Sequence, residues 1–254
     1  MTNILLHGCN GRMGRTIAEL AASKENCRII CGVDVASRED AGFPIYTAFE
    51  AIPADMKPNV IIDFSHFSAL AKLSEYAQKN NIPAVIATTG FSASDLDKIG
   101  ELSKHIAVFR SANMSVGICL LKSLVKKAAA FLGDDFDIEI VERHHNQKLD
   151  APSGTALAIA DAINEADNNK YEYIYDRHSR SAKRSKHEIG ISAVRGGNIV
   201  GDHDVIFAGN NEILEINHRA LSRGIFAEGA LRAAVYLADK PAGMYDMDKM
   251  VEEL

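Results

Sequence analysis

Short β-branched runs alternate with stretches of helical periodicity over roughly the first hundred residues of this chain. The runs predict strands at residues 4–7, 28–34, 60–63, 84–87 and 106–109. Helices are predicted between them at residues 14–23, 67–80 and 93–104, and Ser92 and Asp95 stand at capping-box spacing before the last one. This alternation predicts an α/β domain whose parallel sheet is covered by helices on both faces.

The pattern changes after residue 115, where a long helix is predicted at residues 116–131. It is followed by an alternating strand at 137–142, in which Ile138 and Ile140 stand between acidic residues. Glycine-containing turns then separate three further predicted strands, at residues 189–195, 204–207 and 212–217. A second, α+β domain with an antiparallel or mixed sheet is therefore predicted.

Two segments of this second half are less defined. Residues 168–186 are polar and have no clean period, which predicts an exposed connection or a mobile flap. A final helix is predicted at residues 225–237, and its pattern is compatible with packing on either domain.

The composition excludes several classes of protein. The formal net charge of −6 argues against a nucleic-acid binder, which needs a basic face. The four cysteines contain no C-x-x-C pair and stand mostly in apolar runs, so free, buried thiols are expected. No basic leader precedes an apolar stretch and no run is long enough to span a bilayer, so we expect a cytoplasmic protein with no membrane partner.

A glycine-rich turn follows the first predicted strand and opens the first helix. Its residues are Gly8, Cys9, Asn10, Gly11, Arg12, Met13 and Gly14. Missing side chains let the backbone approach a pyrophosphate at a helix start, although the spacing is G-x-x-G-x-x-G rather than G-x-G-x-x-G. Asp34 stands at the end of the second strand, about 20 residues past the last glycine, where an acid can bind an adenine ribose. The pair favours a Rossmann-type dinucleotide site over a plain turn.

The acid also bears on the choice of cofactor. A carboxylate repels a 2′-phosphate by roughly 4 kcal/mol at about 4 Å and an effective dielectric near 20. NADH is therefore the preferred cofactor over NADPH, with Arg12 or Arg38 as cations that could offset the repulsion.

Polar turns follow three other strands, at residues 63–66, 88–90 and 111–114. Each alone is more often an ordinary turn. Together they stand at the carboxyl ends of parallel strands, where ligands of such sheets bind. Asn113 and the two threonines, Thr88 and Thr89, could orient a carboxamide there.

The densest group of reactive side chains lies in residues 144–156. It contains His144, His145 and Lys148, and Ser153 is the predicted N-cap of a helix that begins with Gly154 and Thr155. Unpaired N–H groups of that helix start can bind a carboxylate or a phosphate. The alternatives are structural histidines with a solvated lysine, or a zinc site completed by His203 and His218; both are weaker, since adjacent histidines on an extended segment point to opposite sides. No metal is predicted.

The run His144-His145-x-x-Lys148-x-Asp150-Ala151-Pro152-Ser153-Gly154-Thr155-Ala156 resembles the signature of the 4-hydroxy-tetrahydrodipicolinate reductase family, also called dihydrodipicolinate reductase, of the diaminopimelate route to lysine. The resemblance covers essentially the whole chain. Other segments that resemble the family lie at residues 8–14, 88–91, 112–117 and 199–203.

The resemblance implies a dinucleotide-binding domain at residues 1–114, completed by about 222–254, and a substrate-binding and oligomerisation domain at 115–221. It implies a homotetramer that reduces a small cyclic dicarboxylate with NADH or NADPH. Carried over residue by residue, it makes His144 the proton donor and Lys148 a second donor and carboxylate partner, with His145, Gly154 and Thr155 binding substrate. The cofactor residues that it implies are Gly8, Cys9, Asn10, Gly11, Arg12, Met13, Asp34, Ala87, Thr88, Thr89, Ser111, Ala112, Asn113 and Met114.

Two departures from the family pattern bear on the nicotinamide: Ala87 replaces a glycine, and Met114 stands where an aromatic is common. Val35 follows Asp34, where a basic residue would help to hold NADPH. The alternatives to this function are another NAD(P)-dependent dehydrogenase of a small amino or keto acid, and a non-catalytic NAD(H)-sensing protein.

Overall fold

The structure is a computed structural model that describes residues 1–111 and 113–253, without the side chain of Glu39. Within these residues the strands are β1 (Thr2–His7), β2 (Cys27–Val33), β3 (Ile45–Tyr46), β4 (Val60–Asp63), β5 (Ala84–Ile86), β6 (Ala107–Arg110), β7 (Asp137–His144), β8 (Glu172–Ile174), β9 (Glu188–Arg195), β10 (Gly201–Ala208), β11 (Ile213–Ala220) and β12 (Gly243–Tyr245). The helices are α1 (Arg12–Ala21), α2 (Leu70–Asn80), α3 (Ala93–Leu102), α4 (Val116–Leu132), α5 (Gly154–Ala166), α6 (Gly224–Leu237) and α7 (Met247–Glu252).

The chain forms two compact units. The first unit consists of Met1–Ser115 and Gly224–Leu254, and the second of Val116–Arg223. The described strands of the first unit form one parallel sheet in the order β12-β6-β5-β4-β1-β2-β3. All four residues of β4 are buried, as in a parallel sheet that is covered on both faces. This confirms the predicted α/β class.

Helix α6 belongs to the first unit, which answers the question that its sequence pattern left open. It packs on α1 and on strands β4 and β5. Its inner side consists largely of small residues, among them Ala227, Ala230 and Ala234, which are fully buried. Small side chains allow the helix to lie close to its neighbours, so part of the first unit's core comes from the end of the chain.

The second unit contains a mixed sheet, as predicted, in the order β11-β10-β7-β9-β8. Strand β7 runs antiparallel to β10 and parallel to β9. Along β7, Ile138, Ile140, Glu142 and His144 are buried in strict alternation. The isoleucines pack with residues of α4 and α5 in one apolar core. The same alternation places the carboxylate of Glu142 and the imidazole of His144 on the buried face of the sheet.

The prediction for residues 168–186 is wrong in part. Three of these residues form β8, which pairs with β9. The arginines that follow bind the buried carboxylate of Glu188, with Arg177 Nη1 at 2.8 Å and Arg180 Nη2 at 2.6 Å from Oε2. These bonds hold the pKa of Glu188 at about 2, below its usual value. Ion pairs, which leave no hydrophobic period in a sequence, thus attach the segment to the sheet.

The sequence prediction also omitted β3, β12 and α7. Strands of two or three residues are too short to show a period, and α7 is a helix of six residues. The predicted capping box is confirmed: Ser92 Oγ accepts the Asp95 N–H, and the Asp95 carboxylate accepts the Ser92 N–H. The four cysteines are free and buried, as expected.

Candidate active site

The glycine-rich turn joins β1 to α1 and can only be built from small residues. Gly8 has a φ of +78°, and a Cβ on it would lie 2.5 Å from the carbonyl oxygen of Phe64. A Cβ on Gly14 would lie 2.2 Å from the carbonyl oxygen of Gly8. Gly11 is the N-cap residue of α1. Because glycine has no side chain, it cannot cap the N–H groups of the first turn. The first-turn N–H groups of α1 are therefore suited to bind an anion.

Asp34 fixes this turn to the end of β2. Its carboxylate accepts the N–H of Asn10 at 2.8 Å and the N–H of Val35 at 2.7 Å. The Asn10 side-chain amide donates in turn to the carbonyl of Ala36 at 2.7 Å. The side chain of Val35 is 94% exposed. The predicted ribose-binding acid and the glycine turn are thus in direct contact, although they stand 24 positions apart.

Gly8, Gly11 and Asp34 line one cavity of about 440 Å³ in the first unit. Its other walls come from the segments that follow β2, β3 and β4, including Val35, Phe49, His66 and Lys72. A cavity of this size at the carboxyl ends of parallel strands fits part of a dinucleotide. A larger cavity of about 530 Å³ lies against α1 and β2, but it contains none of the predicted site residues.

A buried polar cluster connects the ends of β1, β4 and β5 behind this cavity. The carboxylate of Asp63 lies 2.7 Å from His7 Nδ1 and accepts the hydroxyls of Ser65 at 2.6 Å and Thr88 at 2.7 Å. Asp63 and His7 are only 2% and 6% exposed. From the sequence, Asp63 was predicted only as part of a polar turn, and no role was predicted for His7. A histidine that ends an apolar strand was the available signal.

The remaining predicted cofactor residues lie in or near the turns of the first unit. Thr88 is buried against Asp63, whereas Thr89 is exposed and Ala87 half-buried. Cys9 is fully buried and burial raises its pKa to about 11, so it can contribute only through its backbone. Arg12 is exposed and Met13 half-buried at the start of α1. Ala112 lies outside the described residues.

The turn after β6 is held by its own polar groups. The Ser111 hydroxyl donates to the carbonyl of Asn113 at 2.9 Å, and Asn113 Oδ1 accepts the N–H of Ser115 at 2.8 Å. Met114 is buried, and Gly229 of α6 packs so closely on it that a Cβ would lie 1.7 Å from the Met114 carbonyl oxygen. The turn can therefore lie this close to α6 only because residue 229 is a glycine.

His144 ends β7, and its ring is held by the buried carboxylate of Glu142. Its Nδ1 lies 2.6 Å from Glu142 Oε2, and Glu142 has no exposed surface. Arg195, at the end of β9, binds both oxygens of Glu142 at 2.7 Å. The ring of His203 lies edge-on to that of His144, with centroids 5.3 Å apart. Burial lowers the pKa of His203 to about 4, which leaves it neutral near pH 7.

The start of α5 lies beside these residues. Ser153 caps the helix by accepting the Ala156 N–H at 3.1 Å, as predicted. Its own N–H donates to Glu142 Oε1 at 3.0 Å, and its hydroxyl lies 3.2 Å from His203 Nε2. Gly154 is exposed and Thr155 half-buried. The helix start is thus attached to the same carboxylate as the His144 ring.

Lys148 reaches this helix start through Asp150. Lys148 Nζ lies 2.9 Å from Asp150 Oδ1, and the Asp150 carboxylate also accepts the backbone N–H of Gly154. These bonds, first that from Lys148, lower the pKa of Asp150. His145 is half-buried and its carbonyl accepts the Lys148 N–H at 3.2 Å. The structure therefore brings together Lys148 and Gly154 on one carboxylate, with Thr155 next to Gly154 in the chain.

Sequence analysis missed Glu142 and Arg195. Glu142 stands two residues after Ile140 and two before His144, so the alternation of the strand puts it on the buried face, but no role was predicted for it. Arg195 stands 53 positions away from Glu142, and no local pattern connects the two. No group of three or more side chains that could hold a metal ion is found among the described residues.

The first unit has the Rossmann-type architecture of dinucleotide-binding proteins, and the second places a histidine, a lysine and a helix start together. Family models of dihydrodipicolinate reductase match almost all of the chain, the N-terminal model at residues 2–114 and the C-terminal model at 117–251. The chain belongs to the dihydrodipicolinate reductase family, which confirms the resemblance seen in the sequence.

Known relatives agree in length as well as in sequence. The 4-hydroxy-tetrahydrodipicolinate reductase of Caldanaerobacter subterraneus subsp. tengcongensis is 49% identical over 253 residues, which cover 100% of this chain and 99% of the relative. The reductase of the same name from Clostridium tetani is 49% identical over 251 residues, covering 99% of this chain and 97% of the relative.

Solved structures show the same fold. The dipicolinate-bound dihydrodipicolinate reductase from Paenisporosarcina sp. TG-14 has a TM-score of 0.80 at 23% identity and covers 98% of this chain and 99% of its own. A scyllo-inositol dehydrogenase from Lactobacillus casei with bound NAD(H) has a TM-score of 0.53 at 12% identity, over 94% of this chain and 88% of its own. In the part of the chain that the structure describes, none of the helices has both the length and the apolar character needed to cross a bilayer.

Proposed function

We propose that this protein reduces 4-hydroxy-tetrahydrodipicolinate to tetrahydrodipicolinate with NAD(P)H, in the diaminopimelate route to lysine. Family membership and the names of relatives at 49% identity support this activity. The single structural observation that carries it is the His144–Glu142 pair at 2.6 Å, attached through Ser153 to a helix start that can bind a carboxylate.

The reaction replaces a ring hydroxyl by hydrogen, and its balance defines what the protein must supply. Bound NAD(P)H supplies the hydride to the ring carbon. The hydroxyl leaves as water, so one proton is consumed for each hydride. We assign delivery of that proton to His144, with Lys148 as a second donor. A positioned acid contributes about 10² to 10⁴ in rate.

The residues of the first unit fit a dinucleotide. The uncapped start of α1 and the turn at Gly8, where a Cβ would strike Phe64, would hold the pyrophosphate. Asp34 would bind the adenine ribose, and the turns around Thr88, Ser111 and Asn113 would face the nicotinamide. The other proposed cofactor residues of these turns follow from the family resemblance.

We propose NADH as the preferred cofactor. The carboxylate of Asp34 lines the cavity, and the residue after it is the exposed apolar Val35. Arg38, the nearby cation, has its Nε 2.8 Å from Asp40 Oδ1 and is therefore already paired. A 2′-phosphate would meet the carboxylate of Asp34, and the cations left to offset that repulsion are the exposed Arg12 at the start of α1 and Lys72 on another wall of the cavity.

The second unit would bind the dicarboxylate. Lys148 and the N–H groups of Gly154 and Thr155 suit one carboxylate, since a charge-assisted hydrogen bond contributes about 1.5–3 kcal/mol. His145 follows the proton donor directly and is half-buried, so it can reach the same ligand. We assign cofactor binding to the first unit, residues 1–115 with 224–254, and substrate binding to the second unit, residues 116–223.

We further propose a cytoplasmic homotetramer. The free, buried cysteines suit a reducing compartment. On the face of the second unit's sheet opposite α4 and α5, Val194 and Ile213 are 43% and 65% exposed, which suits contact with another copy. Light scattering after size exclusion tests this: the expected mass is four times 27.6 kDa, and a monomer would contradict it.

The decisive experiment follows NADH absorbance while the substrate is made in situ from pyruvate and aspartate semialdehyde. We expect NADH oxidation that requires both precursors and the enzyme that condenses them. Oxidation with an acyclic keto or amino acid alone would indicate a different dehydrogenase. NADH binding without any oxidation would indicate a sensor.

A further inference from the structure

Glu142 is a fully buried carboxylate that no step of the proposed reaction uses directly. We propose that Glu142 is a positioning residue that fixes both the His144 ring and the start of α5, so that Nε2 of His144 is the nitrogen that delivers the proton. This inference rests on the proposed role of His144 in the reaction.

Glu142 receives four hydrogen bonds from three directions. Oε2 binds His144 Nδ1 at 2.6 Å and Arg195 Nη1 at 2.7 Å. Oε1 binds Arg195 Nη2 at 2.7 Å and the Ser153 N–H at 3.0 Å. An ionised carboxylate offers about four acceptor sites, so its capacity is filled. A carboxylate in this state has little freedom to move, and neither do the groups that bind it.

The charge of Glu142 is stabilised despite complete burial. Burial by itself would raise the pKa of Glu142, but the hydrogen bonds from Arg195, His144 and the Ser153 N–H together lower it below the usual value. Arg195 is anchored in turn by the carbonyl of Asp150, at 2.6 Å from Nη2. The carboxylate therefore stays ionised and can only accept hydrogen bonds.

An acceptor at Nδ1 determines the tautomer of His144. Because Glu142 accepts, Nδ1 carries a hydrogen in both charge states, and only the proton on Nε2 can be gained and lost. The opposite side of the ring leaves room at Nε2: Gly201 lies there, and a Cβ on it would be 3.0 Å from Nε2. The nearby His203 is held neutral by burial, so it adds little charge beside the imidazolium.

The bond to Ser153 gives Glu142 a second role. Ser153 is the N-cap of α5, and the next two residues are those proposed to bind a substrate carboxylate. One carboxylate therefore sets the distance between the acid and the anion-binding helix start. Reactions between bound groups lose rate steeply when such distances change by about 1 Å.

The first test compares Glu142→Gln with Glu188→Gln. Glu188 is a matched control, because it is also a buried carboxylate that binds arginines and a backbone N–H, and it has no bond to His144. We expect Glu142→Gln to lower kcat by about 10²-fold or more, with NADH affinity unchanged, since an amide can bind the wrong tautomer. Glu188→Gln should keep kcat within about threefold per folded enzyme. A normal kcat in Glu142→Gln would overturn the proposal.

The second test measures the unmodified protein and uses a variant only to assign signals. In ¹H–¹⁵N spectra of the unmodified protein, with the His144 signals identified by their loss in His144→Gln, neutral His144 should show a protonated Nδ1 and an unprotonated Nε2. The opposite tautomer would refute the positioning role. This readout is independent of turnover: an inactive protein with the expected tautomer refutes the proposed function alone, whereas an active one with the other tautomer refutes only this inference.

Discussion

Asp150 Oδ1 lies 2.9 Å from Lys148 Nζ, and the same carboxylate accepts the N–H of Gly154. These are two of the donors that we assign to a carboxylate of the substrate. If these donors bind a substrate carboxylate, that carboxylate competes with the side chain of Asp150. On this assignment we expect substrate to displace Asp150, whose side chain is 56% exposed and can move into solvent.

Replacing Asp150 should strengthen binding of a dicarboxylate. In Asp150→Asn the competing charge is removed while the size is kept, so we expect the Kd of dipicolinate to fall by up to about fivefold, the range of an exposed ion pair. Calorimetry with dipicolinate measures this directly. Asp161→Asn is a suitable control, because Asp161 lies within α5 and binds the Tyr173 hydroxyl instead of Lys148. Weaker binding in Asp150→Asn would mean that Asp150 orients Lys148 instead of competing for it.

Removing the charge of Lys148 should weaken substrate binding without affecting NADH. In Lys148→Met the loss of a charge-assisted bond of about 1.5–3 kcal/mol corresponds to roughly a 10- to 100-fold rise in the Kd of dipicolinate. NADH affinity should not change, because the proposed cofactor residues belong to the other unit. Lys126→Met, an exposed lysine on α4, is the control. Loss of NADH binding in Lys148→Met would contradict the division between the units.

Asp34 should determine the choice of cofactor. We expect kcat/KM for NADH to exceed that for NADPH by at least about tenfold, since a repulsion of roughly 4 kcal/mol is only partly screened. Asp34→Asn should narrow this ratio while lowering affinity for both, because the bond to the Asn10 N–H is weakened. Steady-state kinetics with both cofactors provide the measurement. A tenfold preference of the unmodified protein for NADPH refutes the assignment.

Adding one methyl group at Gly229 should disturb the turn after β6. A Cβ there would lie 1.7 Å from the Met114 carbonyl oxygen, so α6 or the turn has to shift. We expect Gly229→Ala to cost about 1–3 kcal/mol of stability and to weaken NADH binding. Gly100→Ala in α3 is the matched control, because its Cβ meets nothing within 4 Å among the described atoms. The control should be stabilised by about 0.5–1 kcal/mol. Equal thermal unfolding curves for the two variants would show that the contact is not tight.

His203 should make the protein less stable in mild acid. Its pKa is about 4 in the fold against 6.5 when unfolded, so the unfolded chain binds the proton first as pH falls. This contribution to stability is therefore complete above pH 6.5 and is lost progressively down to pH 4, by roughly 3 kcal/mol. Burial lowers the pKa of His218 in the same sense. Urea unfolding measures the free energy of unfolding across this pH range, and that free energy should change less with pH in His203→Gln than in the unmodified protein. An unchanged pH dependence in the variant would contradict this source of acid sensitivity.

Much of the fold could be predicted because long apolar runs record their burial in the sequence. Strand β4 was predicted at its observed bounds, and α4 ends within one residue of its predicted end. Helix α6 was predicted at nearly its full length, but the domain on which it packs was not predicted, since an alanine-rich face fits any close neighbour. Strand β8 was missed because it is only three residues long and is stabilised by pairing with β9.

The candidate site was predictable only where its residues are close in sequence. His144, Lys148 and Ser153 stand within ten positions, and their chemistry is visible from the spacing alone. The bonds that organise them are not local: Glu142 meets Arg195 across 53 positions, and Asp63 meets Thr88 across 25. A buried carboxylate looks like an exposed one until the partner that neutralises it is known.

The packing of α6 against α1 has a consequence for how the protein is made. A ribosome synthesises β1 to β6 first, yet the alanine face that covers β4 and β5 emerges only with the last thirty or so residues. During that interval the second unit, which is continuous in the chain, can already complete its own core. Before residues 224–254 emerge, a nascent chain should therefore carry a folded second unit behind an incomplete first one, and it is residues 1–115 that chaperones would have to protect.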